Sequence, residues 1–231
     1  MIDHSEVRNY YDNVYYKGTP VGKKVSLHLR RLAAGLGPWE GRELLDVGCG
    51  VGNWLTAAAA CGARPVGVDL SGGAIELCRK QLPYAELECS PAETLPFENN
   101  RFDVVSCLGA MEHFLDPEAA LREMIRVAKP TAILLLLVPN ADFLTRRLGL
   151  YGGTEQAAVY EDVRTLGSWE ALFHSVGLHV TRRWKDLHIL SWAWVSQGNW
   201  YLWPMRATQA LVLPFWPLSW QYQVYYLCLV G

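Results

Sequence analysis

The sequence predicts a doubly wound α/β fold, a mostly parallel sheet with helices on both faces. Three observations carry that prediction. Short apolar runs alternate with helix-length stretches along most of the chain. The first run, Glu43 to Val47, opens into the glycine turn Gly48-Cys49-Gly50-Val51-Gly52. The second is followed by an acid, Asp69, about 20 residues beyond the turn. A length of 231 residues suits one such domain. Hydrophobic residues at 51% and charged residues at 19% exclude general disorder, and a net charge of −2 argues against a broadly basic nucleic-acid binder.

Each element follows from local sequence. The first residues are polar and aromatic, with Tyr10, Tyr11, Tyr15 and Tyr16 close together. Lys23 to Leu36 reads as a helix stopped by Gly35, Gly37 and Pro38. Glu43 to Val47 is the first strand, and an alanine-rich helix follows from Trp54 to Cys61. Arg64 to Val68 is the second strand, Gly73 to Gln81 a helix, Ala85 to Cys89 the third strand and Phe102 to Leu108 the fourth. Asp116 is placed to cap the next helix and Pro117 to open it, with Leu121, Met124, Ile125 and Ala128 as its apolar stripe. Thr131 to Val138 reads as a buried central strand, too short to span a bilayer. Ser168 is expected to cap a helix ending near Gly177; Leu178 to Trp184 and Gln223 to Val230 are the last two strands.

Two stretches break the alternation: 140–165 and 186–221. Structureless loops of that length are uncommon unless they do something. The six cysteines show no C-x-x-C spacing, so neither a zinc knuckle nor a redox pair is suggested, and they read as reduced thiols of a cytoplasmic protein. The polar start, Met1-Ile-Asp-His-Ser-Glu, gives no expectation of a signal peptide.

Glycines at 48, 50 and 52 let the backbone pass close to a ligand, and the next helix offers unpaired N–H groups at its start. Asp69 is placed to accept from both hydroxyls of a ribose. Those two elements alone permit either NAD or S-adenosylmethionine.

The stretch from Leu44 to Pro139 resembles the class I S-adenosylmethionine-dependent methyltransferases, in particular the group that includes the ubiquinone and menaquinone biosynthesis methyltransferases. The resemblance rests on four motifs in order. They are Leu45 to Gly52; Gly67-Val68-Asp69-Leu70-Ser71; Ala92 to Phe97 followed by Arg101-Phe102-Asp103-Val104-Val105; and the helix carrying Ala119, Leu121, Arg122, Glu123, Arg126, Val127, Lys129 and Pro130. The family implies a seven-stranded Rossmann-like sheet whose last strand is antiparallel. It implies S-adenosylmethionine as cofactor, with Gly48, Gly50 and Gly52 in the turn beneath it and Asp46 beside its methionine part. It further implies Asp69 on the ribose, Leu70 on the adenine face, Ala92 and Glu93 at the adenine edge, and the Leu108 carbonyl toward the methionine amine. Many relatives carry an Asp just before the Ala-Glu pair; Pro91 stands there instead, which makes Glu93 the substitute for that edge.

Some relatives bind a metal through a Glu-x-x-Glu-His arrangement at the end of the fourth strand. The first Glu is Gly109 here, so no metal site is expected. His113 is either a general base or a structural hydrogen-bonder behind the cofactor. Tyr10, Tyr11, Tyr15 and Tyr16 are candidates for closing over the cofactor; either a hydroxyl among them orients the acceptor or the rings only staple the segment to the core. For the acceptor pocket the candidates are Tyr16, Arg146 and Tyr151, with Trp192 and Trp200 from the tryptophan-rich stretch. From Leu187 onward the only formally charged side chain is Arg206, so that stretch reads as an auxiliary core, an apolar acceptor site or a peripheral membrane contact.

The whole therefore reads as one domain: 1–40 as an N-terminal lid with helices, 41–139 as the cofactor-binding core, and 140–165 and 186–221 as pocket inserts. The expected activity is methyl transfer to a small apolar or aromatic acceptor on oxygen, carbon or nitrogen. The competing readings are an idle cofactor-binding subunit that docks through the tryptophan-rich stretch, and a nicotinamide-dependent oxidoreductase. The sequence gives no oligomeric state.

Overall fold

Leu44 and Leu45 are adjacent, and both are fully buried. Neighbouring residues of a strand face opposite sides of a sheet, so the sheet that holds them is covered on both faces. The computed structural model of the chain describes residues 3–19, 25–149, 161–188, 195–196 and 199–231. In chain order the elements are α1 (His4–Tyr10), α2 (Leu27–Leu36), β1 (Glu43–Val47), α3 (Asn53–Ala59), β2 (Arg64–Asp69), α4 (Gly72–Gln81), β3 (Glu86–Cys89) and β4 (Phe102–Leu108). There follow α5 (Pro117–Val127), β5 (Ala128–Pro139), α6 (Leu144–Arg147), α7 (Leu166–Ser175), β6 (Leu178–Lys185), α8 (Trp203–Val212) and β7 (Gln223–Val230).

The sheet has seven strands in the order β3-β2-β1-β4-β5-β7-β6. β7 runs antiparallel to both neighbours, and the other pairings are parallel. Leu45 belongs to one buried cluster with Leu121 and Met124 of α5 and Trp169 and Phe173 of α7. Leu44 belongs to a second cluster with Ala33 of α2, Trp54 and Leu55 of α3 and Ile75 of α4. The doubly wound expectation is met, antiparallel last strand included.

Local chemistry sets most boundaries. Ser71 caps α4 by accepting from Ala74 N at 3.0 Å, and Asp116 caps α5 by accepting from Ala119 N at 3.0 Å, with Pro117 in its first turn. Two expectations are corrected. The helix before β6 is capped by Thr165, which accepts from Ser168 N at 3.2 Å; Ser168 lies inside it. Ala128 belongs to β5, because the register between β4 and β5 shifts there and absorbs Pro130, which has no N–H for a ladder. The opening segment is helical: α1, capped by Asp3, continues into a π-helical turn over Tyr11–Tyr15. The insert before β7 contains α8 and single turns at Trp200–Leu202, Leu213–Phe215 and Leu218–Trp220.

Candidate functional site

β1 connects outward to β2 on one side, and the chain later returns to its other side as β4. A crevice opens at the carboxyl ends of the strands where the order reverses. The structure places a cavity of about 700 Å³ there, reaching from Asp69, Ala92 and Glu93, past Gly48 and Gly50, to Leu137, Gln223 and Tyr225.

The glycine turn folds back over β2: Gly48 N and Cys49 N both donate to Val68 O. Gly48 has φ +76°, and a Cβ there would lie 2.4 Å from Ala110 Cβ. Gly52, at φ +81°, would meet Cys78 Sγ at 2.4 Å. The third glycine therefore serves the packing of α3 on α4 and is not among the residues that line the cavity.

Asp69 closes the turn from the other side. Its Oδ2 accepts from Gly50 N at 2.8 Å and its Oδ1 from Ser71 N at 2.9 Å. A carboxylate has about four lone-pair positions, so about two remain for a ligand. Burial pushes its pKa up, while the Ser71 and Gly50 N–H groups hold it down in part.

Asp46 lies deeper, 3% exposed, and pairs in register with Ser106 across β1 and β4. Ser106 Oγ lies 2.7 Å from Asp46 Oδ1 and donates to it. Burial pushes the carboxyl up from 3.8 to about 7, with the Ser106 hydrogen bond opposing. The folded chain thus keeps a proton that the unfolded chain has released. That stabilisation is complete below the unfolded value and is lost as pH rises through about 7. Asp46→Asn is therefore expected to match the wild type near pH 4 and to exceed it well above pH 7, by about 4 kcal/mol at most. Urea midpoints measured across that range check this; a constant difference at all pH values would contradict it.

The opening segment is fastened over the adjacent rim. Asp12 Oδ1 accepts from Ser71 Oγ and from Gly73 N, Arg8 Nε donates to Leu70 O at 3.0 Å, and His4 Nε2 lies 3.2 Å from Glu93 Oε2. Tyr11 and Tyr16 both line the cavity, and a Cβ on Gly50 would come within 2.8 Å of Tyr16 Oη. Burial raises the pKa of both phenols. Glu93 lines the cavity, but its carboxylate bridges His4 and Asp116 N, so its contacts run to α1 and α5. His113 lines the wall beside Ala110 and Phe114, with the Tyr11 ring edge-on at 6.2 Å. The neighbouring Glu112 is buried and pushed up to about 7 by that burial.

Asp46, Gly48, Gly50, Asp69, Leu70, Ala92, Glu93, Leu108, Tyr11, Tyr16 and His113 are thus brought to one cavity. Arg146 and Trp200 are not. Arg146 is exposed on the short α6, and Trp200 points outward at 76% exposure. Tyr151 and Trp192 lie outside the described residues. Sequence reasoning missed a group at the far end of the same cavity: His28, Asp186, His188 and Tyr225. A signal was present, since Asp186 is the last carboxylic side chain before a long uncharged tract.

A family model described as a methyltransferase domain matches residues 45–136. The ubiquinone biosynthesis O-methyltransferase of Coxiella burnetii is 29% identical over 62% of this chain and 64% of its own length. That of Alkalilimnicola ehrlichii is 37% identical over 45% of this chain and 44% of its own. The chain's match thus spans less than two thirds of these relatives. Among solved structures, the Haloferax volcanii chain in complex with the Trm112 methyltransferase activator superposes with a TM-score of 0.72 at 20% identity, covering 97% of each chain.

Proposed function

We propose that this chain, whose residues 45–136 match a methyltransferase-domain model, is a class I S-adenosylmethionine-dependent methyltransferase that transfers a methyl group to a small apolar or aromatic acceptor. One observation carries the reading: a half-buried carboxylate, Asp69, presents its remaining lone pairs to a cavity floored by a turn whose glycines have no room for side chains. Bound S-adenosylmethionine supplies a methyl group already activated on sulfonium, so little acid–base chemistry is required of the protein to activate it.

The chain's residues bind, orient and exclude water. Asp69 holds the ribose hydroxyls. Leu70 and Ala92 pack on the adenine, and the Leu108 carbonyl accepts from the amino group. Asp46 places a titratable carboxyl under the cationic part. Tyr11 and Tyr16 close the opening from the N-terminal segment, which acts as a lid latched through Asp12 and Arg8. His113 is seated to face the transferred group from the wall by Ala110.

Calorimetric titration with S-adenosylhomocysteine, with NAD as control, tests the cofactor; release of S-adenosylhomocysteine against a panel of apolar hydroxyl, amine and carbon acceptors tests the transfer. Micromolar binding without any response to NAD is expected. Binding of NAD, or heat with neither ligand, would contradict the proposal.

A second reading concerns where the acceptor is met. Trp200, Tyr201, Met205, Leu211 and Phe215 are exposed apolar side chains in and around α8, with Phe215 85% exposed. Such side chains suit the headgroup layer of a membrane. Among the described residues no helix is long and apolar enough to cross one. Co-sedimentation with phosphatidylcholine vesicles is expected to fall several-fold in a Leu211→Ser, Phe215→Ser double variant, and unchanged pelleting would dismiss the contact.

A further inference from the structure

The cavity has a second titratable centre at the end remote from Asp69. Asp69 ends β2 and Tyr225 lies on β7, and the strand order β2-β1-β4-β5-β7 separates them by four strand intervals. At about 4.8 Å each this is roughly 19 Å. At the β7 end the Asp186 carboxylate, 3% exposed, gathers three donors. His28 Nε2 lies 3.1 Å from Oδ1, His188 N donates to Oδ1 at 3.0 Å, and His188 Nδ1 lies 2.5 Å from Oδ2. His28 Nε2 also lies 3.0 Å from Tyr225 Oη, and Trp184 stacks on the Tyr225 ring at 5.3 Å and 12°.

A carboxylate that accepts from Nδ1–H fixes an imidazole in the tautomer whose Nε2 carries the lone pair. His188 is in that relation to Asp186, and its side chain, 47% exposed, lines the cavity. His28 has Nε2 turned to Asp186 and Tyr225 instead. Both rings are committed to one carboxylate, and among the described residues no group of three His, Cys, Asp or Glu side chains is arranged to hold a metal ion.

We propose that His188, oriented by Asp186, is the base that takes a proton from the methyl acceptor, with His28 and Tyr225 forming the wall against which the acceptor is held. The proposal rests on the methyl-transfer reading above. It assigns the acceptor to compounds that carry a proton on the attacking atom and are acidic enough for an imidazole, a phenol or enol rather than an aliphatic alcohol. The proton leaves the acceptor oxygen for His188 Nε2. The freed lone pair bonds the methyl carbon, the carbon–sulfur bond breaks, and its electron pair neutralises the sulfonium. Asp186 balances the imidazolium until the proton passes to water.

Electrostatics support the division of roles. Burial alone would lower His188, but the Asp186 hydrogen bond and charge outweigh it and raise its pKa. Burial foremost, and His188 secondarily, lower His28 against the pull of Asp186. The groups facing Asp186 are His28 from α2, Tyr225 from β7 and His188; the Lys185 amine turns away to Pro214 O at 2.6 Å. Two imidazoles on one acid are thus driven apart, one toward holding a proton and one toward losing it.

The test uses the intact chain loaded with S-adenosylhomocysteine, which cannot turn over, and 4-nitrophenol, whose visible band appears only on ionisation. At a pH below the phenol's own ionisation, a saturable band is expected with the wild type. It should fall at least ten-fold in His188→Gln and in Asp186→Asn while calorimetric binding of S-adenosylhomocysteine persists. His188→Gln, at a half-exposed side chain, guards against a folding failure at buried Asp186. No band with the wild type, a band that survives in His188→Gln, or one lost instead in His113→Gln would overturn the proposal. Failure of the wild type to bind S-adenosylhomocysteine would instead overturn the methyl-transfer reading.

Discussion

Asp69→Asn is expected to weaken S-adenosylhomocysteine binding by about 100- to 1000-fold. The carboxylate already accepts from Gly50 N and Ser71 N and keeps its remaining lone pairs for the ligand. Hydrogen bonds to a charged group contribute about 1.5–3 kcal/mol each, and two lost together correspond to at least a hundred-fold. Asparagine also turns an NH₂ toward one of the two backbone N–H groups, so one donor meets another and the turn loosens. Calorimetry reads the affinity, and a thermal melt shows that the variant is folded. Asp69→Glu keeps the charge but moves it by one methylene, and is expected to fall between the two. A loss smaller than ten-fold in Asp69→Asn would mean that the ribose is held elsewhere.

Gly48→Ala should lower stability by about 2–5 kcal/mol. A left-handed backbone costs an L-residue about 1–2 kcal/mol, and overpacking adds about 1–3. Both apply here, since φ is +76° and the new methyl would sit 2.4 Å from Ala110 Cβ. In a chain this size that is a drop of very roughly 5–15 °C in Tm. Ala110→Gly removes the overlap but leaves the backbone cost, so the double variant should recover about half of the loss. Urea melts of the four proteins form the cycle. Additive losses would show that the two positions do not touch.

The two variants probe parts of the molecule that were legible in the sequence. The turn at Gly48 to Gly52 and the acid at Asp69 are local signals, because a strand that must stop, turn and start a helix leaves a mark within a few residues. Ser168 was misread as a cap because Thr165 and Ser168 are both hydroxyl residues three positions apart, and in the fold it is Thr165 that accepts from Ser168 N. For Gly52 the sequence does not show that its missing side chain makes room for Cys78. Glu93 was read toward the adenine, whereas its partners His4 and Asp116 belong to elements on either side of it.

The sequence alone determined the alternation of strands and helices, the doubly wound class, and the glycine turn and acid that line one end of the cavity. These depend on side-chain periodicity, on glycine's access to positive φ and on the handedness of strand–helix–strand connections, all of which act over short stretches. Only the tertiary structure decided the other end. His28 and Tyr225 stand 197 positions apart in the chain and meet at 3.0 Å, and Asp186 joins them from the start of an insert without readable period. Antiparallel β7, wedged between β5 and β6, carries Tyr225 to that corner. No local preference encodes such a meeting, because it is fixed by which strands pair and by the core that both sheet faces bury.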